Sequence, residues 1–172
     1  MEAGAPPGIL RTILFAYLRT GGGHLAPARA LAAHIGKEYA GRTKAVLVDG
    51  LEGGSPPAKW MLEDGYRILQ ARARWFYEFL YLTNKIPAVA WSNARLVTPV
   101  VKARLRESIR IERPDRIVIV HFFLIQPILD ILRESGERIP VTVLVTDPFT
   151  AHPLWFRNND VDFVLFSEEL RR

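Results

Sequence analysis

Apolar and polar positions alternate along this chain in two distinct rhythms, short apolar runs and longer stretches with helical spacing. Ile9–Leu18 is an apolar run broken only by Arg11 and Thr12, and it predicts a buried strand. Leu25, Ala28, Leu31, Ala32, Ile35 and Tyr39 then recur every three or four residues and predict a helix with one core stripe. Pro27 fits in its first turn and Gly41 is its stop. Ala45–Val48 predicts a second strand ending at Asp49-Gly50, and Leu51–Pro57 is a Gly/Ser/Pro loop. Ala58–Ile111 has no strand signal. It predicts two helices, about Ala58–Leu82 and Ala88–Ile111, with Pro99 kinking or dividing the second.

The second half returns to strands. Arg113-Pro114-Asp115 turns into a strand Arg116–Phe122, Pro127 opens a helix running to about Glu134, and Gly136 closes it. Pro140–Val145 predicts the next strand, Thr146–Asn159 an irregular loop or short helix, and Asp162–Phe166 a last strand. Ser167-Glu168-Glu169 reads as a helix start. Met1–Gly8 reads as a loose leader, and residues 9–172 as one domain. Strands that are nearly continuous runs of Val, Ile, Leu and Phe, alternating with helices, predict an α/β fold. Its sheet is parallel, with helices on both faces.

In such sheets ligands bind beyond the carboxyl ends of the strands. Two stretches lie there. Arg19-Thr20-Gly21-Gly22-Gly23-His24 joins the first strand to the first helix. Gly21, Gly22 and Gly23 predict a turn with positive φ that brings backbone close to a ligand, and His24 sits at the helix start. It is neither Gly-x-Gly-x-x-Gly, since Ala26 holds the third position, nor a P-loop. The plain alternative is a tight turn with a solvated histidine. Thr146–Phe156 follows a later strand and holds Asp147, His152 and Trp155 between prolines. A carboxylate, an imidazole and an aromatic ring suit a polyol or sugar. The alternative is a crossover in which Trp155 and Phe156 are core.

Composition narrows the classes. With 172 residues, 49% of them hydrophobic, the chain suits one cored domain. It has no cysteine, which excludes disulfides and thiolate chemistry, and no cluster of metal-ligand residues stands out. The N-terminus shows no signal-peptide pattern. The most apolar stretch, Ile117–Leu132, is too short and too polar for a membrane span. The net charge of +5 is concentrated. Ala58–Ile111 has ten basic and four acidic residues, a net +6, whereas the rest nets −1. Within it, Arg72, Arg74, Trp75, Phe76, Phe79 and Lys85 place aromatic rings among cations, a pattern suited to an anionic membrane surface or to a buried helix with a solvated rim. No nucleic-acid-binding motif accompanies these residues.

Gly21-Gly22-Gly23-His24, Arg113-Pro114-Asp115, Val145-Thr146-Asp147, His152-Pro153-Leu154-Trp155-Phe156 and Ser167-Glu168-Glu169, in that order, resemble one family. It is the N-terminal domain of the monogalactosyldiacylglycerol synthase and processive diacylglycerol glucosyltransferase family, from Ile9 to Arg172. The resemblance implies the N-terminal, Rossmann-like half of a GT-B glycosyltransferase. It implies that His24 is the general base on the acceptor hydroxyl, and that Gly21, Gly22, Gly23, Asp147, His152 and Trp155 place acceptor or donor. It further implies no protein-bound metal or cofactor, a UDP-hexose co-substrate, and a diacylglycerol or glycolipid acceptor. The place implied is cytoplasmic, peripheral on the inner face of the cell membrane. The donor would bind a C-terminal domain or partner subunit outside this sequence. At least one further strand is expected after Arg172, and the chain alone is expected to be inactive. Two rival readings stand beside this one: a non-catalytic lipid-surface or acceptor-binding subunit, and an unrelated dinucleotide-binding protein. The second would use Asp49, 26 residues beyond Gly23, to hold a ribose.

Overall fold

The computed structural model describes residues 10–19, 22–52, 68, 75, 82–83, 87–147, 151–158 and 160–171. Five strands form one sheet: β1 (Arg11–Tyr17), β2 (Thr43–Asp49), β3 (Arg116–Ile119), β4 (Val141–Leu144) and β5 (Asp162–Val164). Their order is β2-β1-β3-β4-β5, and every pairing is parallel. Three helices are described: α1 (Gly22–Glu38), α2 (Pro87–Glu112) and α3 (Ile125–Ser135).

The two-residue period of the strands sorts their side chains into two cores. Leu14, Ala16, Leu18, Ile117, Ile119, Val141, Val143 and Val145 face α2 and α3. Phe15, Tyr17, Val118, Val120 and Leu144 face Ala28 and Ala32 of α1. The sheet is therefore covered by helices on both faces, a Rossmann-like arrangement, which explains strands that are apolar at every position. In α2 the buried residues Val101, Leu105 and Ile109 repeat every fourth position, so one stripe meets the sheet. Pro99 does not divide this helix, which runs on through it. Gly136 closes α3 at φ 70°, a left-handed conformation that costs glycine nothing.

Several boundaries differ from expectation. Helix α1 begins at Gly22, not Leu25. Gly22 and Gly23 are its first turn, and a Cβ on Gly23 would meet nothing within 4 Å. The expected positive-φ turn at these two residues is thus corrected to helix, while Gly21 lies outside the described residues. Tyr39, expected in the core stripe, is half-exposed because it lies beyond the helix end, with the Arg42 guanidinium over its ring. Strand β3 stops at Ile119 instead of Phe122, since His121 caps a 3₁₀ turn, Phe122–Leu124. The segment expected to start a helix at Ser167 is a 3₁₀ turn, Glu168–Arg171. Gly50 is required for packing: a Cβ there would lie 3.0 Å from the buried methyls of both Leu18 and Leu124.

Candidate functional site

The site forms where β1 and β3 part company. After β1 the chain crosses to β2 on one side, and after β3 it crosses to β4 on the other. The carboxyl ends of these neighbours bound a crevice at the topological switch point. His24, on the first turn of α1, reaches into it.

Two partners fix the His24 ring. Its Nδ1 lies 2.8 Å from the carbonyl oxygen of Val120, at the end of β3, and 2.9 Å from Thr146 Oγ1, just past β4. A carbonyl only accepts, so Nδ1 carries the hydrogen and the Thr146 oxygen shares it as a second acceptor. The neutral ring then presents a lone pair on Nε2. Burial pushes the His24 pKa below the ordinary histidine value, against the opposing effects of the Val120 bond and the Asp147 charge. His24 is therefore held neutral near pH 7, with its basic nitrogen turned away from its anchors.

Val120 donates its own N–H to Ala16, so the strand ladder supports the carbonyl that holds His24. The next residue, His121, is buried, and its ring lies 4.3 Å from that of His24. Its Nδ1 accepts the N–H of Phe123, which leaves the hydrogen of the neutral ring on Nε2. Complete burial, with the His24 charge second, holds its pKa well below the ordinary range.

The second predicted stretch arrives beside this pair. Asp147 Oδ2 accepts the indole N–H of Trp155 at 2.7 Å. Trp155 is fully buried, at 6.3 Å from the His24 ring, so its contribution runs through Asp147 and through packing rather than through an open ring face. His152 is also buried, and its Nδ1 accepts the N–H of Leu154 to cap the 3₁₀ turn Pro153–Phe156. The Phe122 ring stacks on His152 and meets Trp155 edge-on. Phe156, by contrast, lies at the surface against Phe163.

The structure thus gathers His24, Asp147, His152 and Trp155 at one end of the sheet, with Gly22 and Gly23 as the helix turn that carries His24. Sequence reasoning passed over His121 and the Val120 carbonyl, and it named Thr146 beside Asp147 without its contact to His24. A histidine closing the run Arg116-Ile117-Val118-Ile119-Val120 was the available signal for the first. Of the expected membrane-contact residues, Trp75 is helical and 74% exposed, whereas Arg72, Arg74, Phe76, Phe79 and Lys85 lie outside the described residues. Asp49 is committed elsewhere: it takes Arg19 Nε at 3.0 Å and the N–H of Leu51. The dinucleotide reading therefore loses its ribose-binding acid. Among the described residues no three His, Asp or Glu side chains gather as a metal site, and no helix is long and apolar enough to cross a membrane.

A parallel, doubly covered sheet with a neutral histidine fixed at its switch point defines a Rossmann-like domain with one polar site at the carboxyl ends of its strands. A sequence profile of the monogalactosyldiacylglycerol (MGDG) synthase family matches residues 24–172, and the chain belongs to that family. MGDG synthase 1, chloroplastic, of Arabidopsis thaliana is 26% identical over 148 residues, 85% of this chain and 28% of that protein. The chloroplastic MGDG synthase of Spinacia oleracea is 27% identical over the same shares. A probable chloroplastic MGDG synthase of Nicotiana tabacum is 25% identical. The chain spans a little over a quarter of the length of these relatives.

Proposed function

We propose that these residues are the acceptor-side half of a GT-B hexosyltransferase that moves a hexose from a nucleotide sugar, UDP-linked, to diacylglycerol or a related glycolipid. The observation that carries this reading is the fixed tautomer of His24. Its Nδ1–H is committed to Val120 and Thr146, so Nε2 is the nitrogen available to a substrate proton. In the transfer, the acceptor hydroxyl oxygen attacks the anomeric carbon, the bond from that carbon to the nucleotide diphosphate breaks, and the hydroxyl proton passes to Nε2. A base whose pKa is lowered by burial accepts that proton without being protonated beforehand. Asp147, oriented by Trp155, supplies a carboxylate for sugar or glycerol hydroxyls, and His152 shapes the loop that presents it. The donor is held by a second domain or a partner subunit. The family match supports the reaction class, and the exposed Trp75 supports peripheral contact of the 72–85 segment with an anionic membrane surface.

The test is His24→Ala in the complete enzyme, assayed for hexose transfer from UDP-hexose to diacylglycerol vesicles. A fall in kcat of at least about 10²-fold with unchanged folding is expected. Near wild-type turnover would remove His24 from the mechanism.

A further inference from the structure

The amino ends of the same strands carry chemistry that hexose transfer does not use. A cleft of about 520 Å³ opens there, between the C-terminal end of α1 and the starts of β1 and β3. Ile13, Ile35, Tyr39 and Pro140 give it apolar walls, and Arg11, Arg42 and Arg116 stand at its rim. By strand length it lies roughly 20 Å from His24, taking about 3.3 Å per residue along β1.

Three arginines from three places in the chain line this cleft. Arg11 begins β1, Arg116 begins β3, and Arg42 follows the left-handed Gly41 in the turn from α1 to β2. The Arg11 N–H donates to the Arg42 carbonyl at 2.9 Å, which sets these two residues side by side. Neighbouring like charges repel, so the arrangement is unfavourable unless something neutralises it. Among the described residues no carboxylate does so for Arg11 or Arg42. Elsewhere Lys44, Lys102, Arg104, Arg106, Arg110 and Arg133 each meet a carboxylate.

Two of the three are also steered by neutral groups. Arg42 lies over the Tyr39 ring, 5.6 Å from its centroid. Arg116 donates to Thr142 Oγ1 at 2.7 Å, with the exposed Asp162 carboxylate farther away at 3.4 Å. A π face orients the Arg42 cation without cancelling its charge, whereas that of Arg116 is partly offset by Asp162. One carboxylate lines the cleft, Asp115, whose Oδ2 accepts the Thr12 N–H at 2.7 Å, so the lining holds three arginines to one carboxylate. The negative end of the α1 dipole favours Arg42 at this position, as those of α2 and α3 favour Arg113 and Arg138. That effect does not account for Arg11 and Arg116, which begin strands, nor for an apolar-walled cavity between them.

We propose that this cleft binds an organic phosphate, its oxygens held by Arg11 and Arg42 with Arg116 at the far rim, and its apolar body lying along Ile13, Ile35 and Tyr39. Two adjacent guanidinium forks offer more donors than one carboxylate accepts and match a phosphate ester, which has several exposed oxygens. The ligand is either a soluble phosphate ester with an alkyl or aryl group or the head of a phospholipid. Both share the same chemistry at the cleft.

The test uses this chain, which needs no donor domain to show binding. Octyl phosphate below its micelle concentration and inorganic phosphate are titrated by calorimetry, and sedimentation is measured with phosphatidylcholine vesicles with and without phosphatidylserine. Saturable octyl phosphate binding, tighter than that of inorganic phosphate, is expected, weakened at least tenfold in Arg11→Gln/Arg42→Gln and unchanged in Arg29→Gln on the exposed side of α1. Vesicle binding that needs phosphatidylserine and is lost in the double variant assigns the ligand to the membrane. Vesicle binding untouched by the double variant, with octyl phosphate binding lost, assigns it to a soluble ester. No saturable octyl phosphate binding, or binding indifferent to both substitutions, overturns the proposal. Because no reading depends on turnover, failure of the transferase assignment leaves this result intact.

Discussion

The two ends of the sheet are built from the same strands and have opposite chemistry. At the carboxyl ends the polar groups are few, buried or half-buried, and fastened to one another: His24 to Val120 and Thr146, Trp155 to Asp147, His121 to Phe123. At the amino ends the polar groups are arginines, exposed and set around an apolar cleft. Hydrogen bonds in a dry environment fix geometry and proton affinity, as chemistry at a single atom requires. Guanidinium groups at a wet rim attract and orient an anion without changing it. One fold thus carries a hydrogen-bonded cluster at one end of its sheet and a cationic cleft at the other, and the contrast can be broken or sharpened by experiment.

The largest effect is expected at the carboxyl end. Trp155→Ala removes a fully buried ring and leaves Asp147 without its indole partner, at an expected cost of about 3–5 kcal/mol. Urea unfolding of this chain measures it. His24→Ala, expected to lower turnover in the complete enzyme, should leave the unfolding midpoint far less changed. If both substitutions destabilise equally, the carboxyl end is a packed core and not a site.

A pH effect of intermediate size follows from the two histidines. Both have pKa values lowered by burial, so below about pH 6.5 the unfolded chain binds protons that the folded chain refuses. Stability is then at its full value above that pH and falls as pH drops through it towards the folded values. The urea midpoint should be lower at pH 5.5 than at pH 7.5, and His121→Gln should flatten that dependence. A midpoint equal at both pH values would mean that neither imidazole is held neutral.

The smallest stability change is expected at the amino end. Arg11→Gln and Arg42→Gln break no ion pair among the described residues, so each should stay within about 0.5 kcal/mol of the parent. A loss of several times that amount would make these arginines structural. A separate surface experiment concerns the 72–85 segment. Changing Trp75 and Phe76 to Ser should reduce co-sedimentation with phosphatidylserine-containing vesicles, and salt should weaken what remains. Equal binding by parent and variant would free this segment from any role at the membrane.

Much of the architecture was readable from local pattern. Apolar runs without alternation identified buried parallel strands, and the spacing Leu25 to Ile35 identified α1. Gly136, with its left-handed backbone, ended α3 as expected. The misses share one cause. Gly21-Gly22-Gly23 reads as a turn because glycine is a poor helix former, yet Gly22 and Gly23 are helical, with α1 packed on the sheet. Arg116–Phe122 reads as one strand because every residue after Arg116, except His121, is apolar. The ladder nevertheless stops at Ile119, where His121 turns its own Nδ1 to the backbone.

The sequence alone determined the class of fold, the order of its elements and the residue types that could carry chemistry, because these depend on periodicity and on side-chain identity. It also named His24 and Asp147, whose places after strands are visible in one dimension. Only the tertiary structure decided which atoms meet. Parallel pairing brings Val120, 96 residues away in sequence, to His24 Nδ1, and Thr146, 122 residues away, to the same nitrogen. Those contacts select the tautomer, and neither is encoded near His24 itself. The same pairing sets Arg11 beside Arg42 and Arg116 around one cleft. Register between distant strands is a property of the whole sheet, so both sites appear only when the sheet is assembled.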